Sequence, residues 1–204
     1  MTPSLARVYD DLVAAAAAPS LAAVVEPVRT QFVERVGPFA PSDPWFEERS
    51  AAAWDRVLVD PRVHDALMIS TMDPSHLDAL RALGRAQRGL FEVHPARRTI
   101  DVQCVVRGAA FRLADDDDAA RAMSHGGEGG WIDGYVVPTV EGVALLPGLL
   151  VHPAEAIEPM RELVKTDLPF DELLDALLGM RHRLASRSRM RARQVYRADA
   201  LPHA

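Results

Sequence analysis

Two stretches decide the fold: LFEVHPARRTIDVQCVVRGAAFRL, residues 90–113, and WIDGYVVPTVEGVALLPGLLV, residues 131–151. Short runs rich in valine, isoleucine and aromatic residues alternate in them with turn residues. Residues 90–93, 99–106 and 110–113 read as strands, punctuated by Pro95-Ala96 and Arg107-Gly108. Residues 131–137, 139–145 and 149–151 read as three more, with turns at Pro138, Glu141-Gly142 and Pro147-Gly148. Strands at this spacing predict an antiparallel β-meander that curls into a small barrel. Between the two stretches lie an acidic turn (residues 115–118), a short helical or irregular piece (residues 119–123) and the loop HGGEGG (residues 125–130).

The flanks have a different period. Leu5, Val8, Tyr9, Leu12 and Val13 recur at helical spacing, predicting a helix over residues 4–18. Pro19-Ser20 ends it, and a second helix follows to Val36, with a kink or break at Pro27 and a stop at Gly37-Pro38. Ser42 or Asp43 is placed to cap a third helix, with Pro44 at its first position. Asp60-Pro61 and Asp73-Pro74 start two more, the second running to about Arg88. After Pro153 the helical period returns over residues 154–165, with Pro159 a break or a late start, and over residues 171–186, capped by Asp171. The expected architecture is therefore α+β, with N-terminal helices, a central β-barrel and C-terminal helices. Its parts are an N-terminal arm (residues 1–36), a helical region on the barrel (37–89), the barrel (90–151) and an Arg-rich C-terminal helical part (152–204).

Composition bounds the rest. A chain of 204 residues can bury a proper core as one domain. Its lone cysteine, Cys104, cannot form an internal disulfide and lies in an apolar run, so a buried thiol in a reducing compartment is expected. The N-terminus lacks the pattern of a signal peptide, and the longest apolar run, residues 12–25, is too short to span a bilayer. A cytoplasmic protein without membrane contact is the expectation. One lysine against many arginines and alanines fits a GC-rich bacterial genome.

The residues Trp54-Asp55, Val59-Asp60, QRGLFEV (87–93), Ile100-Asp101, Gly108, Phe111, LLVHPAEA (149–156) and Tyr196-Arg197 resemble a family of uncharacterised proteins associated with myxobacteria and their relatives. Some members are similar to the barrel that accompanies SEC-C metal-binding motifs, whose Cys-rich element this chain lacks. The resemblance covers about two-thirds of the chain. It implies a fold and carries over no activity, cofactor or catalytic residue.

No motif selects a reaction. The seven histidines show neither HxxxH nor HExxH spacing, so no metal site and no cofactor is expected. His94 and His152 each precede a proline at a strand end and could meet as a ligand-binding pair, or sit apart as edge residues. Gly127 and Gly129 belong to a glycine-rich loop that leads into a strand instead of a helix N-terminus, so the phosphate-cradle pattern is incomplete. Asp115 to Asp118 lack the glycine and distal glutamate of a calcium loop.

Charge supplies the clearest signal. Residues 179–204 hold seven arginines and a single acid, Asp199, in a chain of formal net charge −6. On one helix Arg183, Arg187 and Arg191 would share a face, with Arg189 and Arg193 beside them, and Leu184, Met190 and Val195 would dock the segment. Guanidinium groups pair with carboxylates or phosphates. Three readings stand: a solvated or internally paired face, an acidic protein partner, and nucleic acid, which overall acidity disfavours. The leading expectation is a non-enzymatic interaction or regulatory scaffold, for example an adaptor in a motility, polarity or signalling circuit. Its partner would be another protein, with a homo-oligomer as a further option. The runner-up is a small-ligand or nucleotide module using the barrel mouth.

Overall fold

The computed structural model describes residues 5–43, 45–70, 73–95, 99–113, 122, 130–140, 142–187 and 189–201. The architecture is α+β. Among the described residues five α-helices precede the sheet: α1 (Leu5–Ala16), α2 (Ala22–Val36), α3 (Phe46–Val59), α4 (Pro61–Ser70) and α5 (Pro74–Leu83). The strands are β1 (Gln87–Pro95), β2 (Ile100–Cys104), β3 (Ala110–Arg112), β4 (Trp131–Pro138), β5 (Val143–Leu145) and β6 (Leu150–His152). Helices α6 (Ala154–Leu163), α7 (Phe170–Ala185) and the single turn α8 (Ala192–Val195) close the chain. Among the described residues no single helix is long and apolar enough to cross a membrane.

Among the described residues these strands pair antiparallel, in the order β3-β2-β1-β4-β5, with β6 also on β4. β1 and β4 join the two halves in the register Leu90↔Asp133. The far edge of β4 is shared, with β5 on residues 136–138 and β6 on residues 131–133. The sheet curls until its ends touch at one bridge, Leu113 to Val143, giving a half-barrel.

Strand period 2 sorts β4 between two faces, the curl of the sheet and the surrounding helices. Ile132 and Val136 point into the curl with Phe91, Val102, Cys104 and Leu149. Trp131 faces the C-terminal helices with Leu90, while Tyr135 and Val137 face the N-terminal helices. Asp133 belongs to that same helix-facing side by alternation, which puts a carboxylate inside a core. Cys104 is buried, as its apolar run predicts.

Several local expectations are revised. Pro27 and Pro159 lie inside continuous helices without breaking them. Each falls one turn or more past the helix start, and the carbonyls they leave unbonded, four residues back, belong to the exposed Ala23 and Glu155. Asp171 is within the first turn of α7, whose N-cap is Pro169, so it favours the helix dipole without capping. Asp43 accepts from the Ala40 N–H instead of capping α3, and Pro44 lies outside the described residues. The N-cap of α3 is Trp45, held at φ 73°, in the left-handed region. Helix α5 stops at Leu83, not near Arg88, because residues 87–89 pair with β4.

The half-barrel fits the helices closely at Gly148, in the β5–β6 turn. Its N–H donates to the buried Asp55 carboxylate of α3 at 2.8 Å, whose other oxygen accepts from the Tyr9 hydroxyl of α1. A Cβ on Gly148 would come within 2.4 Å of the Ala52 backbone. Gly148→Ala is therefore expected to destabilise the fold by about 1–3 kcal/mol in urea unfolding; an unchanged midpoint would show that the turn is not seated on α3.

Candidate functional site

The helix-facing side of the sheet carries a buried ion cluster. Arg88 on β1 donates from Nε and Nη2 to both oxygens of Asp133 on β4, at 3.1 and 3.0 Å. Its Nη1 donates to Asp175 of α7. Asp175 also receives Arg35 of α2 at 3.0 Å and lies 3.8 Å from Arg56 of α3. Arg56 donates to the Tyr135 hydroxyl at 3.2 Å. Burial alone would lower the Arg88 guanidinium, but Asp133, Tyr135 and Asp175 reverse this and hold it above its ordinary value. The cavity beside Arg56, Arg88, Asp133 and Gly148 is about 10 Å³, room for a single water. Its geometry is that of a fastener with no space for a substrate. The signal in the sequence was polar residues at core positions: Asp133 inside an apolar strand and Asp175 on the apolar side of a helix.

A second cluster locks the end of α2. Arg49 of α3 donates to the carbonyls of Val36, Gly37 and Pro38, at 3.2, 2.6 and 3.2 Å. Val36 is the last residue of α2, where a helix leaves carbonyls unbonded, and Gly37 and Pro38 follow it. The same guanidinium lies over Phe39 and donates to His182 Nδ1 at 2.9 Å. Arginine cannot accept, so His182 Nδ1 is the acceptor and its ring proton resides on Nε2. Burial and the Arg49 charge keep the His182 pKa below its usual value. Beside it, Arg181 stacks over Trp45 at 3.5 Å and donates from Nε to the Val151 carbonyl.

The two histidines singled out by sequence are not brought together. His94 is exposed on β1, opposite Asp101 and 3.8 Å from Glu92. His152 on β6 is fully buried, and its Nδ1 hydrogen-bonds the Tyr196 hydroxyl at 2.8 Å with the rings edge to face. No hydrogen-bond partner is found for its Nε2 among the described residues. Gly127 and Gly129, and Asp115 to Asp118, lie outside the described residues. The described residues hold no group of three or more potential metal ligands.

The arginine segment is not one helix. Helix α7 ends at Ala185, and the separate turn α8 follows Arg191, whose backbone N–H donates to Gln194 Oε1 at 2.8 Å. Arg183, Arg187 and Arg191 therefore do not form a helical stripe. The break lets Val195 and Tyr196 turn into the core of the C-terminal helices, with Leu184 and Met190 packed against it as expected. Arg183, Arg187, Arg189, Arg191 and Arg193 all remain exposed, and none of the five is ion-paired among the described residues. Arg197 pairs with Asp199.

Two stability measurements test these contacts. Arg88→Met leaves Asp133 and Asp175 without their common partner, and should destabilise by about 3–5 kcal/mol. A midpoint close to wild type would mean the cluster is not closed as described. For His152, burial lowers the pKa to about 3, against roughly 6.5 in an unfolded chain. Between these values the unfolded chain takes up a proton that the folded chain excludes. Its contribution is complete above pH ~6.5 and is lost as pH falls toward 3, by about 1.4 kcal/mol per unit. Between pH 7 and 5, the stability difference between wild type and His152→Leu should shrink by about 2 kcal/mol; parallel curves would contradict the assignment.

No family model, curated protein or solved structure matches this chain.

Proposed function

We propose that this protein is a non-enzymatic interaction scaffold of the bacterial cytoplasm, whose half-barrel and helices present an arginine-rich surface to an acidic segment of another protein. The observation that carries the reading is the group Arg183, Arg187, Arg189, Arg191 and Arg193. All five are exposed and without a carboxylate partner among the described residues, in a chain of net charge −6.

The backbone beneath these arginines is anchored. Ala192, Val195, Tyr196 and Leu201 are buried in the C-terminal core. Side chains on a fixed base lose less freedom on binding than those on a loose tail. The guanidinium fork matches a carboxylate in two parallel hydrogen bonds, so acidic side chains fit it well. The chain's overall negative charge opposes a long polyanion such as DNA or RNA. The buried acids and arginines serve as ties between elements, in keeping with a scaffold.

Fluorescence anisotropy tests the reading with a labelled decapeptide of alternating glutamate and glycine. Binding is expected at low salt, weakening as salt screens the exposed charges. Replacing the five arginines by glutamine should weaken it at least tenfold. No binding by the wild type, or equal binding by the variant, would refute the proposal. Tighter binding of a single-stranded DNA of equal charge would instead favour nucleic acid.

A further inference from the structure

Arg183 lies in the last turn of α7, and Ala200 lies in the short 3-10 turn that follows α8. Both residues line one open cleft of about 580 Å³ between α2 and α7. That volume lies within the range of ligand-binding clefts. Arg35 and Gly37 line the α2 side, while Gly179 and His182 line the α7 side. Glu34, Glu172 and Asp175, the last tied to Arg35, also border it.

Three donors line it. Arg183 is free of acid partners among the described residues, and Arg35 reaches Asp175 with a third of its side chain still exposed. The His182 proton is on Nε2, because Nδ1 accepts from Arg49. No partner of Nε2 is found among the described residues, and Gly37 leaves the approach to this edge of the ring open: a Cβ there would stand 3.4 Å from Cδ2 and 3.9 Å from Nε2.

A separate observation concerns Gly179. It sits inside α7, where glycine is a poorer helix former than alanine. Packing does not require it: a Cβ would meet only the Arg35 carbonyl, at an ordinary 3.7 Å. The glycine gives up helix stability and leaves space in the cleft.

We infer that the α2–α7 cleft is the seat of the acidic partner segment, with a carboxylate held by Arg183, Arg35 and His182 Nε2–H while the arginines of residues 187–193 contact the flanking acids. This rests on the proposed binding of an acidic protein segment and names its site.

The same labelled Glu-Gly decapeptide tests the site. Gly179→Leu fills the cleft and leaves every exposed arginine in place, so its affinity should fall at least tenfold. In the wild type, peptide addition should shift the backbone amide NMR signals of Gly37, Gly179 and His182. The amide map needs no variant, so it decides even if the leucine chain does not fold. Unchanged affinity in a folded Gly179→Leu protein, or shifts confined to residues 187–193, would overturn the cleft and leave the arginine surface standing. If the wild type does not bind, both readings fail together.

Discussion

The structure depends on one buried guanidinium. Arg88 binds Asp133 within the sheet and Asp175 on α7, and Asp175 in turn gathers Arg35 from α2 and Arg56 from α3. Two strands and three helices thus meet at charges withdrawn from water. Such a cluster adds little net stability, since desolvation offsets most of the attraction. Its geometry is strict, however. A sheet and helices held only by leucines and alanines could slide by a residue, but a bidentate arginine pair in a core tolerates little displacement.

The other polar ties follow the same pattern. Asp55 joins α1 to the β5–β6 turn through Tyr9 and Gly148. Arg49 closes α2 and orients His182. Tyr196 fixes the last helical turn against His152. The pairs Tyr9–Asp55, Asp55–Gly148, Arg49–His182 and His152–Tyr196 lie 46, 93, 133 and 44 residues apart in sequence. The outward consequence is a stretch anchored by the buried Ala192, Val195, Tyr196 and Leu201, with its arginines exposed.

Much of the fold was legible because local physics governs it. Asp73 accepts from the Ser75 N–H and starts α5 before Pro74, as the cap-plus-proline pattern requires. Leu5, Val8 and Leu12 give α1 its apolar stripe, and alternation in residues 131–137 gives β4. Local signals failed where a long-range contact prevailed. The period of α5 continues toward Arg88, yet β4 draws residues 87–89 into the sheet. The arginine stripe read from four-residue spacing dissolves because Val195 and Tyr196 are buried at the expense of helix continuation.

The candidate site shows the same division. Its arginines were visible as a run of charge, since charge excess needs no neighbours to be recognised. His182, Gly179, Arg35 and the strained Trp45 were not, because nothing local distinguishes them. By itself the sequence determined the α+β class, the helix and strand order, the burial of Cys104 and the basic character of the C-terminal end. These follow from periodicity, turn chemistry and composition. Tertiary structure alone decided which acids and arginines meet in the core, that His94 and His152 stay apart, and that Arg35, His182 and Arg183 share a cleft. Such partnerships form across as many as 140 residues of sequence, as between Arg35 and Asp175, and are selected only when the sheet and helices close on one another.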